Sequence, residues 1–341
     1  MKFKSKVLLA LLVLACVVSP VFAAGEQEAA AKKTYKIGAA VYGLKGEYMR
    51  LWSTALERHP AVVEGMVDIT VFDGAYDASV QQSQFETMAA QGYDAILFVP
   101  IDIDAGAAAV EVAHNAGIPV IGSNTRVKSD LLTSYIGSND VKSGFMEAKA
   151  VIEAMGGKGN VVIIEGPIGQ SAQIERREGN MKAIDQYADV NVIEMKTANW
   201  SRAEALNLME NWLSAHHNDI DGVIGQNDEM ALGAIEAIKD AGLDISDFPV
   251  AGIDGVTDAM LAVQNDEMVS ILQDAVGQAQ GALDLALRCL VGDSYIPQAE
   301  CWKDMEWGST IQDVYNVPWV PITKENVEGL LKARSALTTR N

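Results

Sequence analysis

Asp94-Ala95-Ile96-Leu97-Phe98-Val99, a helical stretch ending Ala116-Gly117, and Pro119-Val120-Ile121-Gly122-Ser123-Asn124 return later in the chain. The second copy is Asp221-Gly222-Val223-Ile224-Gly225-Gln226, a helical stretch ending Ala241-Gly242, and Pro249-Val250-Ala251-Gly252-Ile253-Asp254. The offsets are 127, 125, 130 and 130 residues (94 to 221, 116 to 241, 119 to 249, 124 to 254). Self-similarity over this distance implies two lobes of like topology. Each copy ends a strand on a short polar side chain, Asn124 in one and Asp254 in the other. In open α/β sheets ligands gather beyond the carboxyl ends of the strands, so two facing lobes would bring these residues together across one cleft.

Working outward, short β-branched runs alternate with amphipathic stretches. Residues 35–41, 67–72, 94–99, 118–122, 161–165, 190–195, 222–225 and 250–253 read as buried strands. Windows at 78–91, 104–116, 141–155 and 203–215 space their apolar residues as helices do. This alternation predicts an α/β fold of Rossmann-like lobes, with parallel sheets covered by helices on both faces.

The first residues bear on the compartment. Lys2, Lys4 and Lys6, the apolar run from Val7 to Ala15, and Val21-Phe22-Ala23 as a processing site make residues 1–23 a signal peptide, with residues 24–33 a polar leader. The apolar run is shorter than the roughly 20 residues a spanning helix needs. Val13-Leu14-Ala15-Cys16 also resembles a lipobox, which would anchor the protein through Cys16. The apolar Val17, Val18, Val21 and Phe22 would start a poor tether, so cleavage near Ala23 is preferred and a periplasmic address is expected.

Cleavage there removes three lysines and no acid, moving the formal charge from −20 to −23. Such a chain repels phosphate backbones and anionic membrane surfaces, which argues against nucleic acid as a partner. A hydrophobic content of 49% can fill one large or two medium cores, and two is the better reading. Cys289 and Cys301 are the cysteines left after processing. Either they pair in an oxidising compartment, for a gain of about 3 kcal/mol, or they are two unrelated apolar residues.

Gly225-Gln226-Asn227-Asp228-Glu229-Met230-Ala231-Leu232-Gly233-Ala234 carries a more specific signal. It resembles the signature of the ribose- and galactose-type periplasmic sugar-binding proteins, the type I substrate-binding components of ABC importers. Val41-Tyr42, Glu165-Gly166-Pro167 through Arg176, Thr197-Ala198-Asn199-Trp200, Gly252-Ile253-Asp254-Gly255 and Val317-Pro318-Trp319-Val320 agree in order, so the likeness spans nearly the whole mature chain. Gln170-Ser171-Ala172 and Ala198-Asn199-Trp200 are most similar to the inositol-binding branch. The resemblance implies a three-segment hinge. Residues 34–137 plus 273–312 would form the N-terminal lobe, and 138–272 plus 313–341 the C-terminal lobe.

It also implies ligand-binding residues. The hydrogen-bonding positions fall on Asn124, Arg176, Asn227, Asp254 and Gln273, and the aromatic ones on Tyr42, Tyr48 and Trp200. Departures leave the sugar open. Asn124-Thr125 stands where the ribose branch has an Asp-Arg pair, and Gln170 and Ala172 stand where the galactose branch has a histidine and an aspartate. Met155-Gly156-Gly157-Lys158-Gly159 lacks the carboxylates of the galactose branch's calcium loop. No cofactor or metal is expected.

The residue types suit sugars on chemical grounds. Asn and Gln each donate and accept, as a hydroxyl does, whereas Arg only donates and ionised Asp only accepts. Trp and Tyr offer flat faces to the C–H surface of a pyranose or cyclitol. Each position has a plainer reading too. Trp200 alone would more often be core. Asp254 before Gly255 could form a turn, Arg176 beside Arg177 a solvated helix face, and Asn227 a helix cap. His216-His217 at a helix end point apart, and no third ligand lies near. His59 and His114 show no partner.

Three function classes compete. A transcription regulator with this ligand fold needs an N-terminal helix-turn-helix, and an export signal stands there instead. A sugar-processing enzyme is the alternative to a binding protein. Gly38, Gly43 and Gly46 do not have dinucleotide-turn spacing, there is no Gly-x-Ser-x-Gly elbow, and Glu229 with Asp254 is the carboxylate pair to watch. The reading reached is a monomeric binding protein that closes on a small neutral sugar or polyol and passes it to an ABC permease, with a chemoreceptor as a further partner.

Overall fold

The computed structural model describes residues 33–216 and 219–339. The expected signal peptide with Cys16, the expected leader as far as Lys32, and His217 lie outside them. Five strands come first, β1 (Tyr35–Val41), β2 (Val67–Asp73), β3 (Ala95–Val99), β4 (Val120–Ser123) and β5 (Ser134–Gly137). The next five are β6 (Lys158–Glu165), β7 (Asp189–Thr197), β8 (Gly222–Gly225), β9 (Val250–Asp254) and β10 (Val269–Leu272), followed by β11 (Val314–Asn316) and β12 (Val320–Pro321).

They build two six-stranded sheets, ordered β2-β1-β3-β4-β5-β11 and β7-β6-β8-β9-β10-β12. All neighbours pair in parallel except β10 with β12. The first five strands of the two orders are the same order shifted by five, and each sheet is completed by one late strand, so the repeat seen in the sequence is a repeat of topology. In each lobe the chain order reverses beside the first strand, between β1 and β3 and between β6 and β8. Ligands of open α/β sheets sit at such switch points.

Central strands read as continuous apolar runs because helices cover both faces. Ala95-Ile96-Leu97-Phe98-Val99 is buried throughout. The helix Ala275–Val291 packs on β3, β4, β5 and the helix Glu47–Glu57, so it belongs with the first sheet. Its buried Asp284 accepts from Tyr295 Oη at 2.6 Å, Trp302 Nε1 at 2.9 Å and Ala299 N at 2.8 Å, and meets His59 Nε2 at 3.1 Å. His59 Nδ1 accepts from Ala61 N, which leaves its proton on Nε2, toward Asp284. His59 thus has a partner that the sequence did not show.

The chain leaves the first sheet after β5, returns to it after β10, and crosses again between Asn316 and Val320. The expected third boundary assigned everything from 313 to the C-terminal lobe. Val314, Tyr315 and Asn316 pair with Tyr135, Ile136 and Gly137, so they complete the first sheet and the boundary moves later. A three-residue edge strand carries no periodicity that would reveal its partner.

Of the two readings left open for Cys289 and Cys301, the structure has the unpaired one, and both thiols are free. Cys301 Sγ contacts Gly277 O at 3.4 Å, near the start of the helix Ala275–Val291, while Cys289 sits near its end. Twelve residues of helix separate Gly277 from Cys289, about 18 Å of rise. A disulfide needs Cα atoms within about 7 Å. Burial pushes the two thiols up to about 11 and about 12, which suits inert apolar residues.

Candidate ligand-binding cleft

Three of the predicted site residues sit in backbone conformations that L-residues seldom adopt. Asn124, just after β4, has φ 61°, Trp200 has φ 59°, and Asp254, closing β9, has φ 126°. Asparagine tolerates the left-handed region, but such values cost a Trp or Asp about 1–3 kcal/mol each and persist where the surroundings impose them. For Asp254 the surroundings are visible. Asp228 Oδ2 accepts from Gly255 N at 2.6 Å and Val256 N at 2.9 Å, and Ser270 Oγ donates to Asp228 Oδ1 at 2.7 Å. That buried carboxylate pins the turn and aims the Asp254 side chain.

Arg176 is the centre of the second lobe's contribution. A Cβ on Gly144 would come within 2.2 Å of the Arg176 carbonyl oxygen, so glycine there lets the helices Asp140–Ala154 and Ser171–Ile184 touch backbone to backbone. Arg176 is 3% exposed. Its Nε donates to Asp140 Oδ1 at 2.8 Å, Nη1 to the Gln226 carbonyl at 2.6 Å and Nη2 to Gln273 Oε1 at 3.3 Å. The guanidinium carbon lies 5.5 Å from the Trp200 ring centre and 5.7 Å from that of Trp319. Although burial opposes its charge, Asp140, Asp254 and Glu147 hold Arg176 firmly protonated. Burial pushes the Asp254 carboxyl well above the usual carboxylate range, with Arg176 as the opposing influence.

The remaining second-lobe candidates gather around this arginine. Gln273 Nε2 is buried and has no protein partner. Asn227 does cap the helix Asp228–Asp240, its Oδ1 accepting from Met230 N at 3.0 Å, so the plainer reading of its carbonyl is met and its amide nitrogen remains for other work. Trp200 lies flat against Gly166, where an added Cβ would fall 2.0 Å from the ring, and its Nε1 donates to Gln170 Oε1 at 2.6 Å.

The first lobe answers with neutral groups. Tyr48 Oη donates to Gln278 Oε1 at 2.7 Å. Asn124 Nδ2 lies 3.3 Å from Tyr48 Oη and 3.2 Å from Gln278 Oε1, and Gln278 Nε2 donates to Ser138 Oγ at 3.0 Å. Tyr42, following β1, stands edge-on to Tyr76 at 5.5 Å. The Tyr42 and Tyr48 hydroxyls are both pushed up, first by burial and then by nearby charge, which for each includes Asp254 across the cleft. The eight candidate residues therefore converge on one region. Gln278, Asp140 and Asp228, which hold them in place, escaped the sequence reading. All three are polar residues on helices, where a side chain turned inward looks the same in sequence as one turned outward.

The lobes meet around this region. Gln170 Nε2 donates to the Pro100 carbonyl at 3.0 Å, Ile103 N to the Gly169 carbonyl at 3.0 Å, and Arg126 N to Ser171 Oγ at 2.6 Å. Glu47 Oε1 accepts from Thr257 N at 3.0 Å, Thr257 Oγ1 at 2.7 Å and Arg334 Nη1 at 2.7 Å, and Arg334 Nη2 reaches the Gly255 carbonyl at 2.8 Å. A first-lobe carboxylate thus sits on the N-terminus of the second-lobe helix Thr257–Gln264, where the helix dipole favours it. Glu229 is engaged by Arg202 Nε at 2.9 Å and Glu47 N at 3.3 Å. His216 meets Glu194 at 3.1 Å, and among the described residues no group of three or more His, Cys, Asp or Glu could hold a metal ion.

Two α/β lobes of one topology, with polar groups converging where their strand ends face each other, define a cleft-type solute-binding protein. Known proteins identify the family. Residues 37–294 match the periplasmic binding protein domain. The chain is 36% identical over 273 residues to a putative rhizopine-binding protein of Rhizobium meliloti, covering 76% of this chain and 88% of that one. It is 35% identical over 252 residues to a xylitol-binding protein of Mycolicibacterium smegmatis, covering 74% and 67%. An ABC transporter solute-binding protein from Bacillus halodurans C-125, solved with bound myo-inositol, superposes with a TM-score of 0.78 at 30% identity, over 89% of this chain and 99% of that one. The chain belongs to the periplasmic binding protein family and is a type I sugar-binding protein.

Proposed function

We propose that this chain is the exported solute-binding component of an ABC importer. It binds a small neutral sugar or cyclitol, of ribose, galactose, glucose or inositol type, closes over it about the hinge, and delivers it unchanged to a membrane permease. The observation that carries the reading is the arrangement around Arg176. A buried guanidinium lies among the Asp254 carboxyl, the Gln273 amide and the Trp200 ring, and its charge acts on the first lobe's Tyr48, which Asn124 contacts. Adjacent hydroxyls can donate to Asp254 while accepting from Arg176 and Gln273, and a ring face can stack on Trp200. Xylitol and myo-inositol, named for two of the relatives, are compounds of this class.

Closure follows from differential affinity: a ligand seated on one lobe gains hydrogen bonds when the other arrives. Binding is favoured over turnover because Glu229, the partner a two-carboxylate mechanism would require, is committed to Arg202 and the Glu47 amide. The protein works as a periplasmic monomer after cleavage near Ala23, and its closed surface is also offered to a chemoreceptor. A calorimetric and thermal-shift screen of pentoses, hexoses and cyclitols, with scattering on the best binder, tests this. The expected result is a smaller radius of gyration with ligand and full recovery of the ligand. A product in the mixture, or tight binding without contraction, overturns it.

A further inference from the structure

The cleft does not end at the groups around Arg176. Against Trp200 lies a crevice of about 420 Å³, walled by Gly46, Tyr76 and Ile101 of the first lobe and Pro167, Trp200 and Ser201 of the second. Only Trp200 is shared with the inner cluster. The crevice persists with the cross-cleft hydrogen bonds at Glu47, Gln170 and Ser171 already made, so closure does not remove it. Its volume lies within the 300–1,000 Å³ or so typical of small-molecule sites.

The lining specifies a chemistry. Its charges are largely satisfied within the protein: Glu229 by Arg202, Arg202 also by Asp258 at 2.9 Å, and Glu204 by Asn199 Nδ2 at 2.7 Å. The Lys45 ammonium lies 5.5 Å from the Tyr76 ring centre. Lys45 and Glu204, one charge of each sign, are the lining groups without an opposite charge against them, so the crevice as a whole does not call for an ionic ligand. Tyr76, whose hydroxyl burial keeps protonated by pushing it up to about 12, and Trp200 give flat walls, and Ile101 and Pro167 an apolar floor. Ser201 and Asn199 add groups that can meet hydroxyls.

We propose that this crevice is an outer subsite for a second neutral, hydroxylated ring, so that the protein accepts O-glycosides of the sugar or cyclitol held by the inner groups. This rests on the sugar-binding reading above. Gly46 provides the test. It has φ −75°, open to any residue, and an added Cβ there meets no atom within 4 Å, so Gly46→Phe puts a ring into the crevice without straining the fold.

Titration calorimetry would compare matched pairs: myo-inositol with galactinol, xylitol with xylobiitol, and glucose with gentiobiose. For the pair whose parent binds, the glycoside should bind the unaltered protein within about tenfold of the parent. Gly46→Phe should weaken the glycoside by about tenfold or more and leave the parent within about threefold. Gly46→Ala, melting as the unaltered protein does, should bind both members. A parent that binds while its glycoside is more than about a hundredfold weaker overturns the subsite, as does a Gly46→Phe protein that loses both equally. If no parent and no glycoside binds, the sugar-binding reading itself falls, and the subsite with it.

Discussion

Asn124 and Asp254 occupy equivalent places, one residue past β4 and at the end of β9, yet their surroundings differ in kind. Asn124 belongs to a neutral ring of Tyr48, Gln278 and Ser138 that satisfies most of its own hydrogen-bonding capacity. Asp254 belongs to a charged cluster with Arg176 and Asp140, in which Gln273 Nε2 has no protein partner. The same scaffold position thus does two jobs. The second lobe concentrates buried charge and unmet hydrogen-bonding capacity, which a ligand's hydroxyls can complete, whereas the first supplies a preorganised neutral wall. Buried charge matters most where its partners can be removed, so the two halves should respond unequally to mutation.

The largest inequality is expected at the centre of each cluster. Arg176→Leu would leave Asp140, Asp254 and Glu147 without their shared counter-charge, and breaking a buried pair from one side costs about 3–5 kcal/mol of stability. Binding should be lost as well. Gln278→Leu removes neutral bonds from the first lobe and should cost about 1–3 kcal/mol. Urea unfolding of both variants measures the difference, and equal losses would erase the proposed asymmetry.

At the strand ends the readout is affinity. Asp254→Ala should cost about 2–5 kcal/mol of binding while the protein stays folded, because ligand hydroxyls lose a desolvated acceptor. Asn124→Ala, whose neighbours can satisfy one another, should cost about 1–2 kcal/mol. Since burial raises the Asp254 carboxyl, affinity should decline as pH falls through that raised value and the acceptor is protonated. Asp254→Asn should bind more weakly but lose the pH dependence. An Asp254→Ala protein that binds normally and melts much lower would make Asp254 a structural turn residue. Trp200→Phe keeps the platform and gives up the bond to Gln170, for a loss of about 0.5–1.5 kcal/mol in calorimetry.

Much of this comparison is legible in the sequence, and its gaps have a physical pattern. The repeat places Asn124 and Asp254 at matching strand ends because fully buried strands of four or five residues and their helices leave a strong periodic trace. β5, β10, β11 and β12 are short and mix polar or exposed positions with apolar ones, so they leave almost none, and the outer parts of both sheets and the last hinge crossing were obscure. The polar residues now gathered around Arg176 were singled out through resemblance, but Asp140, Asp228 and Gln278 were not. Their role depends on which way a helix turns, and that is decided by contacts with residues 27 to 230 positions away. Whether the cysteines pair was open for the opposite reason, since closeness in sequence does not reveal that the helix Ala275–Val291 holds the two apart.

The smallest effect expected is at the seam between the two halves. Arg126, of the neutral half, approaches Glu175, of the charged half, with Nε to Oε1 at 3.5 Å, and the Glu175 side chain is 24% exposed. Burial, helped by the Asp140 charge and opposed by Arg126, pushes this carboxyl from 4.5 up to about 7. Between those two values the folded protein holds a proton that the unfolded chain releases. Glu175 therefore weakens the fold at pH above about 7, and the penalty is relieved as pH falls toward 4.5. Glu175→Gln should accordingly raise Tm at pH 8 and leave it nearly unchanged near pH 4.5. Exposure and screening keep the gain below about 1 kcal/mol. Melting curves of both proteins at the two pH values decide the sign. A lower Tm for Glu175→Gln at pH 8 would mean that attraction to Arg126 outweighs burial, and that the seam itself holds the charged and neutral halves together.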